Sequence, residues 1–157
     1  MAVTYVSTKC ATGAQARIDV HDDTLFCSFD IAAAIGTADE GGGGAGGTAF
    51  VINDIVQMVK VAAGSTVVDV VLAVDALDSS TGIVTAVGDG GSAGRFISGA
   101  TIGRSSAAGV QYLNVAGGLN YAYTTADTID FKVTTAASGT AVTSGIVRLA
   151  VRITAQS

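Results

Sequence analysis

The side chains with chemical potential in this chain are few and scattered. The single histidine, His21, stands beside Asp22 and Asp23. A metal set needs further ligands at a defined spacing, so this trio is read as a solvated turn. Asp89 and Ser92 sit in the run Gly88-Asp89-Gly90-Gly91-Ser92-Ala93-Gly94. Calcium loops gather several carboxylates, and this run is too sparse for one. Its glycines suggest a phosphate cradle. However, Ala93 occupies the place of the third glycine, and no helical pattern follows to offer an N-terminus to a phosphate. Asp127 and Asp130 have the look of a catalytic carboxylate pair. Such a pair works in a cleft with tuned pKa values, whereas these two flank the start of an alternating stretch and are read as exposed strand residues. Serines are plentiful, but the one histidine has no reason to meet any of them. No residue set supports an enzyme, and no cofactor or metal site is expected.

Arginines and tyrosines suggest contact rather than catalysis. Arg95, Arg148 and Arg152 are isolated among small residues. A lone arginine can make bidentate contacts at an interface, or it can keep an exposed sheet face soluble. Tyr112, Tyr121 and Tyr123 would suit a sugar platform, yet aromatic content is low and tryptophan is absent. Core edge or subunit contact is the better reading. Cys10 and Cys27 form no metal or redox spacing and are read as two reduced thiols rather than a disulfide.

Positioning falls to strands. Thr128-Ile129-Asp130-Phe131-Lys132-Val133-Thr134 alternates without a break, and Gly145 to Thr154 does so again. Period two marks a strand with one buried and one wet face. Ile129, Phe131, Val133, Val147, Leu149, Val151 and Ile153 would face inward. Lys132, Arg148 and Arg152 would share the outward face. Upstream, Ala16, Ile18 and Val20 alternate with polar residues, His21-Asp22-Asp23 turns, and Leu25, Cys27, Phe29 and Ile31 alternate again, with Phe26 as the exception. That reads as a hairpin. Ile31 to Ile35 is short enough for one helical turn. Further strands are expected over 48–52, 55–61, 66–75 and 83–87, and around Gln111 and Tyr121. The segment 66–75 is apolar on both faces and so central or covered. Residues 88–94 read as a loop leading to a strand at Arg95, and the glycine-rich stretch 41–47 as a flexible loop. About nine to eleven short strands without a convincing helix predict an all-β sandwich or barrel. Residues 1–13 read as an extended N-terminal arm, and 14–157 as a single domain.

Charge narrows the partners. The net charge is −5, with eight scattered basic residues, which argues against gripping a nucleic-acid backbone. No apolar run is long enough to span a bilayer, and Met1-Ala2-Val3-Thr4-Tyr5 lacks the pattern of a signal peptide, so synthesis in a cytoplasm is expected. Only 13% of residues are charged, so much of the surface is expected to be covered by other subunits.

A succession of phrases then becomes informative. They are Val59-Lys60-Val61-Ala62-Ala63-Gly64, Val67-Val68-Asp69-Val70-Val71-Leu72, Val87-Gly88-Asp89-Gly90 leading to Arg95-Phe96-Ile97-Ser98, Leu119-Asn120-Tyr121, Asp127-Thr128-Ile129-Asp130, and Gly145-Ile146-Val147-Arg148-Leu149. Through these, residues 54–154 resemble the capsid cement, or decoration, proteins encoded with the head genes of tailed bacteriophages. The resemblance implies a jelly-roll-like antiparallel β-sandwich, a homotrimer, and attachment to the major capsid protein on the capsid exterior of the virion. Arg95, Arg148, Arg152, Tyr112 and Tyr121 become candidate subunit or capsid contacts. The stretch 41–47 departs from the family pattern. Two other readings stay open: a different virion structural protein, such as a minor capsid or head-fibre base component, and a carbohydrate-binding β-sandwich.

Overall fold

A computed structural model of the chain describes residues 4–6, 23–36 and 49–155. Among these residues, ten strands, one short α-helix and a 3₁₀ turn follow in the order β1 (Thr4–Val6), β2 (Asp23–Asp30), α1 (Ile31–Gly36), β3 (Ile55–Val61), β4 (Ser65–Val74), β5 (Val84–Asp89), β6 (Ser92–Ala100), β7 (Gly109–Tyr112), the 3₁₀ turn (Ala116–Gly118), β8 (Tyr121–Ala122), β9 (Asp127–Thr135) and β10 (Ile146–Ala155). They form two five-stranded sheets. The first has the order β1-β3-β9-β5-β6. The second runs β2-β10-β4-β7, with β8 also pairing β4. With β1 and β8 set aside, eight strands remain. Each sheet then takes four of them in the order that defines a jelly roll: first-eighth-third-sixth opposite second-seventh-fourth-fifth. The antiparallel sandwich expected from alternation is present, and its jelly-roll order is explicit. The arm expected over 1–13 is described only at Thr4–Val6, which pairs in parallel with β3.

Alternation works as anticipated in β10. Val147, Leu149, Val151 and Ile153 are all buried against the opposite sheet, while Arg148 and Arg152 are exposed. From the first sheet, Val56, Met58, Ile129, Phe131 and Val133 meet them. Phe131 stacks on Phe50, which tilts against Phe29, so aromatic rings bridge the layers on one side of the core. Each fully buried aliphatic side chain here contributes about 1.5–3 kcal/mol before entropy is subtracted. The expectation that residues 66–75 form a central strand holds: β4 lies between β10 and β7.

Three local readings are corrected. First, β9 and β10 do not share an outward face. They lie in different sheets, because the connection between them crosses the sandwich, so Lys132 points away from the opposite surface to Arg148 and Arg152. Second, of the strand expected over 48–52, the described residues 49–52 form only a single bridge between Phe50 and Val142. Asp54 accepts the Val51 N–H at 2.8 Å and closes a turn there instead. Third, 88–94 is no open loop. β5 continues to Asp89, Gly90 and Gly91 turn, and β6 begins at Ser92. A β-carbon on Gly88 would lie 1.9 Å from the Ser92 carbonyl oxygen, so only glycine admits this close approach of backbones. The helical turn expected over 31–35 is present as α1, with Asp30 accepting the Ala33 N–H at 3.2 Å.

Candidate interaction surface

The outer face of the second sheet gathers three of the five candidate contact residues. Direct cross-strand partners run in a row from Phe26 on β2 to Ala150 on β10, Val71 on β4 and Tyr112 on β7. Phe26 is 70% exposed and Tyr112 63% exposed, while Ala150 and Val71 between them are half-buried. On either side of this row stand Arg148 and Arg152, both on β10. Arg148 pairs with Asp75 at 2.7 Å. That hydrogen bond, with the Ile146 N–H donating to the same carboxylate, holds Asp75 below the usual carboxylate range. Arg152 stands between Thr24 and Asp69 in the register. The face is therefore largely apolar in its middle and carries charges of both signs.

Arg95 and Tyr121 lie elsewhere, at the end of the sandwich where β5 turns into β6. The Arg95 Nε donates to Asp89 Oδ2, and its guanidinium sits 3.9 Å from the centre of the Tyr121 ring. Tyr123 meets Tyr121 edge-on, with ring centres 5.1 Å apart, and donates its hydroxyl to Asp89 Oδ2 at 3.0 Å. The N–H groups of Gly91 and Ser92 donate to Asp89 Oδ1 at 3.0 and 2.8 Å. Burial works to raise the Asp89 pKa, but Arg95, the Ser92 N–H and Tyr123 together outweigh it and hold the carboxyl below its ordinary range. Burial beside this carboxylate pushes the Tyr123 phenol up. The cluster joins the two sheets and fastens the β5–β6 turn.

The structure separates the carboxylates that the sequence suggested as a pair. Asp127 and Asp130 are three residues apart on β9, so their side chains leave opposite faces of the strand. Asp130 is half-buried, not exposed as expected. Desolvation pushes its pKa up to about 6, helped by Asp127 and Asp89 and opposed by a hydrogen bond with Thr128. Residues 90–94 match the letters of a Gly-x-Ser-x-Gly nucleophile elbow. That motif needs a strand–turn–helix, and Ser92 instead opens β6 of a tight hairpin. Among the described residues, no group of three or more His, Cys, Asp or Glu side chains could hold a metal. Cys27 is buried on the inner side of β2. Cys10, His21, the strand expected at 16–20 and the stretch 41–47 lie outside the described residues.

At the opposite end of the sandwich, a cavity of about 320 Å³ is lined by Leu77, Asp78, Ser106 and the stretch 140–144. Asp78 accepts five backbone N–H groups, from Ser80, Gly82, Ile83, Ser138 and Gly139. Burial acts to raise its pKa, yet these donors hold it far below the ordinary value. Its role is to tie the β4–β5 connection to the β9–β10 connection. Nothing in the sequence marks Asp78 out, since its donors are backbone groups up to 61 residues away. Phe26 did leave a signal, as the one apolar residue at an outward position of its strand.

No family model matches the chain, and no curated protein matches it. Similarity appears among solved structures. The chain is similar to one in the capsid of Ralstonia phage GP4, with 17% identity, a TM-score of 0.70, and coverage of 98% of this chain and 99% of that one. It is also similar to a chain of the Cyanophage Pam1 capsid asymmetric unit, with 23% identity, a TM-score of 0.62, and coverage of 91% and 96%. At these identities the likeness is one of fold: the same all-β sandwich, from end to end, occurs in chains of two phage capsids.

Proposed function

We propose that this chain is a capsid cement, or decoration, protein. It binds the outside of a phage shell made of major capsid protein, as a homotrimer, and resists the separation of neighbouring shell subunits. The observation that carries this reading is the end-to-end likeness to chains of two phage capsid structures, each matched over nearly its whole length. Three features support it. The two-sheet sandwich presents broad sheet faces, which suits binding by area. The net charge of −5 is unsuited to the packaged polyanion and favours the exterior. The carboxylates whose pKa values are lowered, Asp75, Asp78 and Asp89, are engaged in hydrogen bonds that hold the fold. Several copies acting together bind a shell far more tightly than one, since each further contact is intramolecular.

The experiment is to add the purified chain to shells assembled from the major capsid protein alone. Binding at a fixed ratio, greater resistance of the shells to heat, and density on the outer surface in a reconstruction are expected. Shells that bind none of it, or density confined to a single vertex, would favour a minor capsid or head-fibre role. Deleting residues 2–13 should weaken attachment while the domain stays folded, and full occupancy by the truncated chain would refute a role for the arm. The glycan-binding alternative is disfavoured by geometry. Tyr112 pairs with outward Val71 and Tyr121 with inward Val67, so the two rings sit on opposite sides of the sheet and form no common platform.

A further inference from the structure

The outer face of the second sheet reads alike from its two edges. Phe26, Ala150, Val71 and Tyr112 occupy one row across β2, β10, β4 and β7, with the large exposed aromatics at the ends and the small residues in the middle. Two positions further along β10, exposed Arg152 stands directly opposite exposed Asp69 on β4. The two middle strands thus carry opposite charges at the same level. Exposed apolar rows bordered by charge mark interaction sites.

We propose that this face packs against the same face of a second copy of the chain. The pairing follows a two-fold axis that lies between the faces and runs along the strands. That operation lays β10 over the second copy's β4 and β2 over its β7. Phe26 then meets the partner's Tyr112, and Tyr112 meets the partner's Phe26. Ala150 and Val71 fill the centre, where small side chains let the sheets approach to the ~10 Å separation of packed sheets. Arg152 meets the partner's Asp69, and Asp69 meets the partner's Arg152, so two ion pairs form at once. The other in-plane axis, across the strands, would lay β10 on β10 and oppose Arg148 to the partner's Arg152. Charge therefore selects the first arrangement.

Size sets the strength of the contact. Four strands about 4.8 Å apart and about eight residues long give a face of about 500 Å² per copy. A standard interface buries about 800 Å² per partner, so the pairing is reversible and depends on concentration. It needs no shell and leaves three-fold association to other surfaces.

Charge reversal and mixing test it, with the mass of the full chain followed by sedimentation. Arg152→Asp alone and Asp69→Arg alone should each lose the pairing, since like charges then face one another. An equimolar mixture of the two variants should pair again, because both cross-copy ion pairs are regenerated; a change within one chain cannot produce that recovery. Phe26→Ser and Tyr112→Ser, at exposed positions that tolerate polar side chains, should weaken pairing at least tenfold and cover the case in which a charge variant fails to fold. Mixed variants that stay apart, single reversals that pair like the wild type, or a wild type that shows no such pairing at any concentration would overturn the proposal. So would Phe26→Ser losing shell binding alone, which would assign the face to the shell protein.

Discussion

Removing one oxygen from the cluster at the β5–β6 end tests the account of how the two sheets are fastened. In Tyr123→Phe the ring keeps its place against Tyr121, and only the hydroxyl at 3.0 Å from Asp89 Oδ2 is lost. Tyr123 is 5% exposed and Asp89 is likewise 5% exposed, so water replaces the lost donor poorly. A hydrogen bond to a charged partner is worth about 1.5–3 kcal/mol. Asp89 retains Arg95 and two backbone N–H donors, which places the loss at the lower end, about 1.5 kcal/mol. For a domain of this length that corresponds to a fall in Tm of about 3–6 °C. Urea unfolding at neutral pH would measure it, with the midpoint lowered and the slope m unchanged. A double-mutant cycle with Arg95→Met should show coupling above about 0.5 kcal/mol, because both donors share one carboxylate oxygen. The Asp89 carboxyl has its pKa lowered on folding, so its contribution is present above the ordinary carboxylate range and is lost as pH falls through the folded value. An unchanged midpoint for Tyr123→Phe, or strict additivity with Arg95→Met, would refute the reasoning.

Three further outcomes are expected. Gly88→Ala drives a methyl group into the Ser92 carbonyl and should disrupt the β5–β6 hairpin, giving faster amide exchange in both strands; native exchange rates would contradict the close approach. The Asp130 pKa is raised on folding to about 6, so the folded state holds this proton more tightly, and stability falls as pH rises from about 4 through 6. Asp130→Asn should remove that slope and gain about 1–2 kcal/mol at pH 7 after allowance for partial exposure, as read from unfolding midpoints at pH 4 and 7; Asp75, Asp78 and Asp89, with lowered values, titrate below this window. Leu149→Asp places a charge at a site that is 1% exposed and should leave no cooperative unfolding transition, whereas a soluble, folded variant would contradict the register of β10.

Period-two alternation was enough to determine that the chain folds as β-structure and which side of β9 and β10 is buried. Val147, Leu149, Val151 and Ile153 were identified as core from spacing alone, because the side chains of a strand alternate whatever its neighbours are. Neighbourhood was a different matter. Which strand lies beside which depends on pairings far apart in the chain, and alternation carries no information about them. Lys132 and Arg148 looked like one face because both point outward, yet β9 and β10 lie in opposite sheets. Asp89 acquires its partner Tyr123 across 34 residues, and Asp78 its donors across 61. The row of Phe26, Ala150, Val71 and Tyr112 exists only because four strands from distant parts of the chain come into register. The surface on which the candidate contacts meet was therefore decided by tertiary structure, from residues whose individual orientations the sequence had already set.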